Sequence, residues 1–194
     1  KCSGFLLRVK NSLRINKIMR FAIVYYKENI AGKTIIDEFK KLAFNPQIPI
    51  IELSKETIYS NDISSNKYPE LRNIDFIIFA STHRSKDNKP AFCLHTPGNW
   101  RSADLGGNSG KICPTIANVL KFLFQKFEEN YNNSPIKEKF SLTLEATHHG
   151  PDIDIPCCFI ELGATETEWK DYKAAFVVAQ TINSLQNYIP TNYQ

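Results

Sequence analysis

The sequence predicts an α/β fold of three layers, a largely parallel sheet flanked by helices. Three observations predict it. Short apolar runs rich in β-branched and aromatic residues recur along the chain. Stretches whose apolar residues repeat at helical spacing lie between them. The chain has 194 residues, 42% hydrophobic and 23% charged, which suits one soluble domain with a sizeable core. Strands that alternate with helices pair in parallel, because a crossover helix returns the chain to the same edge of the sheet.

The elements follow in order. "RFAIVYY" (20–26) reads as a first buried strand. Ile35, Ile36, Phe39 and Leu42 recur at helical spacing and predict an amphipathic helix over 30–44. "IPIIELS" (48–54) is a second strand, and the polar 55–70 is a loop or carries an edge strand. "DFIIFAS" (75–81) and "AFCLHT" (91–96) are the third and fourth strands. Pro114 opens a helix over 114–130, with Ile116, Val119, Leu120, Leu123 and Phe127 as its apolar stripe. "FSLTLEA" (140–146) alternates like a strand, and "PCCFIELG" (156–163) is another. A long helix over 166–188 begins at Thr165 or Thr167, with Glu168 placed for a capping box. Residues 1–18, basic and partly apolar, are expected to be an extension outside the fold, with a targeting segment as the alternative. Residues 19–194 are expected to form one domain.

Composition limits function. A net charge of +4 permits a polyanionic partner without demanding one. No apolar run approaches the ~18 residues that span a bilayer, so no membrane partner is expected. The five cysteines are odd in number and none forms a CxxC pair, which points to a reducing, cytoplasmic setting without a disulfide framework. Cys157 and Cys158, inside an apolar run, read as buried structural thiols.

All four histidines follow apolar runs, in the loops after the strands at 75–81, 91–96 and 140–146. In open α/β sheets ligands bind beyond the carboxyl ends of the strands, so three separate loops with every histidine are read as one site. In "EATHHGP" (145–151), a neutral imidazole at His148 or His149 can ligate a metal or act as a base. Adjacent strand side chains point to opposite faces. Both histidines therefore serve one site only if the turn at Gly150-Pro151 bends the chain; otherwise one orients the other, or they form a surface pair. "STHRS" (81–85) offers Ser81, His83 and Arg84, the last able to hold a phosphate, or is simply a polar turn. "HTPGNW" (95–100) brings together His95, Gly98, Asn99 and Trp100; the indole can stack on a base or fill a core. "GGNSGK" (106–111) is not a Walker loop, since Leu105 and Ile112 occupy positions that need Gly and Ser/Thr; Gly106 and Gly107 still allow a ligand near the backbone. No G-x-S-x-G supports a serine triad.

"FASTHRS", "HTPGNWRSADLGGNSGKICPTIANVLKFL" and "LEATHHGP", with "FIELG" after them, resemble the archaeal- and plant-type D-aminoacyl-tRNA deacylases over about residues 19–190. The resemblance implies hydrolysis of the ester between a D-amino acid and tRNA, a proofreading step in translation. It also implies a Zn2+ cofactor and a fold like those of phosphorylases and peptidyl-tRNA hydrolases. It further implies a C-terminal glycine-rich segment with more His and Arg residues, absent from this sequence, so the domain is expected to be incomplete at that end. On this reading His148 and His149 are base or zinc ligands, His83 completes the metal set, and Glu145 supports the histidines. His95 is a further candidate to complete the ligands, and His83 and His95 are alternatives for holding the terminal adenosine. Arg84 would meet phosphate, Trp100 the adenine, and Ser81, Gly98, Asn99, Gly106, Gly107 and Gly150 the rest of the substrate. A monomer is expected. The alternatives are a peptidyl-tRNA-hydrolase- or phosphorylase-like enzyme, or an inactive RNA- or metal-binding fragment.

Overall fold

The structure, a computed structural model, describes residues 18–44 and 46–190; apart from Ile18, the expected N-terminal extension lies outside the described residues. Six strands form one sheet: β1 (Phe21–Tyr26), β2 (Ile50–Leu53), β3 (Phe76–Thr82), β4 (Ala91–His95), β5 (Ser141–Leu144) and β6 (Cys157–Gly163), in spatial order β2-β1-β3-β6-β4-β5. The helices are α1 (Ile30–Phe39), α2 (Ala117–Asn132), α3 (Glu166–Trp169) and α4 (Tyr172–Asn183). The α/β architecture read from the alternating pattern is the one observed, with a mostly parallel sheet. None of the described helices is long and apolar enough to cross a membrane.

Alternation along the strands sorts their side chains to two faces. Phe76, Ile78 and Ala80 of β3 and Cys158, Ile160 and Leu162 of β6 share a core with Ile35 and Ile36 of α1, Leu123 and Phe127 of α2, and Val178 and Ile182 of α4. Ile77 and Phe79 of β3 and Cys157 and Phe159 of β6 face the other way, against Ile63, Leu71, Cys113 and Ile153 from loops. The layer on that second face is loop and short 3-10 turn (Thr57–Tyr59, Pro69–Leu71) where the sequence suggested helix, and 55–70 holds no strand. Cys157 and Cys158 are fully buried free thiols on opposite faces.

Element ends differ from the periodicity for local reasons. α1 stops at Phe39, because Lys41 and Leu42 donate to the carbonyls three residues back and tighten the chain. α2 begins at Ala117 rather than Pro114, because the amide of Cys157 donates to the Pro114 carbonyl and ties that segment to β6. The long helix expected over 166–188 is broken in two. Thr165 and Glu168 form a capping box on α3, and Asp171 then caps α4 through the amides of Lys173 and Ala174.

Strand direction matters most for the site. β4 runs antiparallel to β6, with Ala91 opposite Gly163 and His95 opposite Phe159, and β5 follows β4 in parallel. The loops after β4 and β5 therefore leave from the end opposite to the loop after β3. The histidines do not meet because all three strands end at one edge. They meet because the chain after β4 and β5 runs across the loop-covered face, beside β6.

Candidate active site

The floor of the site is a residue that the sequence reading passed over. Glu161 lies in the middle of β6, 4% exposed, in an otherwise apolar strand. A buried carboxylate is costly unless partnered, and here the partners are imidazoles. Glu161 Oε2 is 3.4 Å from Nδ1 of His83, and Oε1 is 3.6 Å and 3.7 Å from Nε2 of His95 and His149. Burial pushes the Glu161 carboxyl up, but the surrounding His149, His83 and His95 imidazoles outweigh it and hold the group well below the usual carboxylate range. Burial likewise disfavours a charged His83, yet the Glu161 and Glu145 carboxylates raise its pKa above the ordinary histidine value.

His148 and His149 share one site because the backbone bends between them. His149 has φ +44°, in the left-handed region that side chains rarely adopt. The Gly98 amide donates to the His149 carbonyl at 2.7 Å, and Pro97 bridges to His148, so the loop after β4 holds the bend. The two rings lie 4.6 Å apart, and His148 stacks on His95 at 4.1 Å. His95 in turn stacks on Phe159. Burial, with the facing His95 and His149 rings, lowers the His148 pKa.

Each of these three imidazoles turns Nδ1 to a backbone carbonyl: His95 to Thr96 at 3.3 Å, His148 to Ala146 at 2.8 Å and His149 to Gly150 at 2.6 Å. A proton on Nδ1 leaves a lone pair on Nε2, the arrangement common in metal-binding histidines. His95 Nε2 is buried with no hydrogen-bond partner, and so is Glu145 Oε2. Imidazole nitrogens and carboxylate oxygens that converge in this way are the donor types that suit zinc. The ligand atoms of His95, His148 and His149 lie within 4.8 Å of one another, as do those of His83, Cys93 and Glu145, and those of His95, Glu145 and Glu161. Of the expected ligands, His148 and His149 group with His95, and His83 with Cys93 and Glu145, among the described residues.

A cleft of about 480 Å³ opens above this floor. Ser81, His83, Arg84, His148, His149 and Glu161 line it. So do Glu28, Asn29, Glu56 and Trp169, which sequence reasoning did not single out. Asn29 caps α1, donates to Ser81 Oγ at 3.4 Å and accepts from Thr82 Oγ1 at 2.7 Å, so it braces the β3 end. Glu145 stands behind the cleft, 3.9 Å from His83 Nδ1 and 3.8 Å from His148 Nε2.

The remaining expected residues sit outside the cleft wall. Asn99 is buried, and its amide donates to the carbonyls of Gly106 and Asn108, so it shapes the glycine loop. Gly106 and Gly150 both press on the Ile58 carbonyl, where an added Cβ would lie 1.9 Å and 2.1 Å away, and Gly107 packs against Asn99 and Gly150. Gly98 carries the hydrogen bond to His149. Trp100 is 69% exposed and does not line the cleft; Trp169 does. A lone carboxylate inside a buried strand was the readable sign of Glu161.

A family profile for D-aminoacyl-tRNA deacylase matches residues 70–192. A D-aminoacyl-tRNA deacylase of Caldivirga maquilingensis is 37% identical over 140 residues, 70% of this chain and 50% of that protein. Its counterpart in Archaeoglobus fulgidus is 36% identical over 148 residues, 76% of this chain and 51% of that one. The crystal structure of a conserved protein of unknown function, AF0625, superposes with a TM-score of 0.79 at 29% identity, covering 90% of this chain and 65% of that one. The chain spans about half the length of these curated relatives.

Proposed function

The chain belongs to the D-aminoacyl-tRNA deacylase family, and from that premise we propose that it hydrolyses the ester of D-aminoacyl-tRNA in the cytoplasm, releasing D-amino acid and free tRNA. The observation that carries the reading is the buried Glu161 ringed by His83, His95 and His149 at the floor of an open cleft.

Hydrolysis adds water to the acyl carbon, breaks the bond to the ribose oxygen and returns a proton to that oxygen. His148 is the base: its side chain is 45% exposed, it lines the cleft, and Nδ1 on the Ala146 carbonyl leaves Nε2 free to take the proton of the attacking water. His83 is the acid. It lies between two carboxylates, 3.4 Å from Glu161 and 3.9 Å from Glu145, which favour its imidazolium form beside the oxyanion and the leaving hydroxyl. His95 and His149, whose Nε2 atoms lie 3.6 Å and 3.7 Å from Glu161 Oε1, are with Glu161 the residues that would hold zinc. A zinc ion held there would supply Lewis acidity toward the ester oxygen and would lower the pKa of water toward ~7. Glu161 also fixes the rings on which the other groups lean.

The test is release of D-tyrosine from D-Tyr-tRNA against L-tyrosine from L-Tyr-tRNA, with and without added zinc. D-selective release is expected. A folded chain that releases neither would sink the reading.

A further inference from the structure

One wall of the cleft carries a feature that the chemistry at its floor does not use. The Arg84 guanidinium lies 4.7 Å over the Trp169 ring, and both residues line the cleft. Trp169 is held firmly. Its Nε1 donates to the His83 carbonyl at 3.2 Å, its ring packs against the helix-side core, and its short helix is fixed by the Thr165–Glu168 capping box. The indole is half-buried, while Arg84 is exposed. A fixed indole with a guanidinium laid on it is a stack to which a further planar, electron-rich ring adds readily. Single-stranded RNA is commonly gripped by such aromatic and arginine planes.

Charge along the cleft gives the direction. Glu56 follows β2 and Glu28 follows β1, whereas Arg84 follows β3 and Trp169 follows β6. The strand order β2-β1-β3-β6 therefore puts carboxylates toward one end of the cleft and the cationic stack toward the other. An aminoacyl-nucleotide has the matching polarity, with an ammonium at its acyl end and a base and phosphate at the other.

We propose that Arg84 and Trp169 form the platform for the terminal nucleotide of the acylated RNA, the base extending the stack and Arg84 meeting the adjoining phosphate. The proposal rests on the reading of this cleft as the site of ester hydrolysis on aminoacyl-tRNA. It places the acylated ribose over Glu161 and the amino group toward Glu28.

The chain has two tryptophans, so Trp100→Phe leaves Trp169 as the sole indole. Titrating this variant with the trinucleotide CCA should quench its fluorescence saturably. Adding Arg84→Met should weaken that binding about tenfold. In kinetics, Arg84→Met should raise KM for D-Tyr-tRNA about tenfold more than for D-tyrosine methyl ester, which lacks a nucleotide. Arg84 is exposed, so the variant will fold. Emission indifferent to the trinucleotide, or equal KM shifts for the two esters, would overturn the platform. Quenching of the Trp100→Phe protein by the trinucleotide, with neither ester hydrolysed by wild type, would sink the hydrolase reading and leave the platform standing.

Discussion

His95 Nε2 and Glu161 Oε1 lie 3.6 Å apart in a place that solvent does not reach, and neither His95 Nε2 nor the nearby Glu145 Oε2 has a hydrogen-bond partner. Two acceptors this close repel unless a proton or a cation lies between them. Glu161→Gln keeps the shape of the side chain and removes its charge. We expect it to lower bound zinc and to slow D-Tyr-tRNA hydrolysis by about 100-fold or more, with unchanged circular dichroism. Hydrolysis within threefold of wild type would remove Glu161 from the mechanism.

The two adjacent histidines should separate in their effects. His149 Nε2 is 3.7 Å from Glu161 and its side chain is 10% exposed, whereas the His148 side chain is 45% exposed and its Nε2 is 3.8 Å from Glu145. His149→Ala should lose both zinc, measured by mass spectrometry of the metal, and rate. His148→Ala should keep most of the zinc and lose about 100-fold in rate, as removal of a general base does. If His148→Ala empties the metal instead, His148 is a ligand and the base lies elsewhere.

Much of this was legible in the chain. β1, β3, β4 and β6 fall where short apolar runs lie, because a strand buried on both faces needs an apolar residue at nearly every position, whereas the exposed edge strand β5 was legible only as an alternation. The histidine loops were legible for the same reason: polar clusters that interrupt such runs had to emerge from the sheet. Strand direction was not. Nothing in "AFCLH" says that it runs antiparallel to "CCFIELG", since direction is set by pairing distant in sequence. Glu161 was hidden inside one of those runs, and Trp169 inside a helical one. The bend at His149 depends on Gly98 and Pro97, about fifty residues earlier, which no local pattern records.

The glycine loop should be a matter of packing rather than of chemistry. An added Cβ at Gly150 would lie 2.1 Å from the Ile58 carbonyl and 2.2 Å from the Gly107 amide, all backbone atoms that cannot swing away. Gly150→Ala is expected to cost about 1–3 kcal/mol and to lower Tm by roughly 2–10 °C. Gly110, with φ +68° and nothing within 4 Å of the added carbon, supplies the contrast. Gly110→Ala should cost only about 1 kcal/mol, from backbone strain alone. Thermal melts that rank the two variants the other way would contradict the steric argument.

Asp171 offers a pH test remote from the histidines. Its carboxylate accepts from the amides of Lys173 and Ala174 at the start of α4, and Lys139 Nζ lies 3.1 Å away. Burial pushes its pKa up, but the Lys139 bond and the two amide bonds prevail and lower it below the usual aspartate value. A carboxyl whose pKa is lower folded than unfolded binds fewer protons in the native state. Its contribution is therefore present above the unfolded value near ~3.9 and fades as pH falls through the folded one. Asp171→Ala should lose about 1 kcal/mol at pH 7, from the missing cap. Asp171→Asn keeps an acceptor oxygen for the amides and loses only the charge, about 0.5 kcal/mol at neutral pH. In denaturant titrations, the gap between wild type and Asp171→Asn should narrow as pH falls below the unfolded value near ~3.9 and on through the lower folded one. A gap of constant size across that range would mean that the charge on Asp171 contributes nothing.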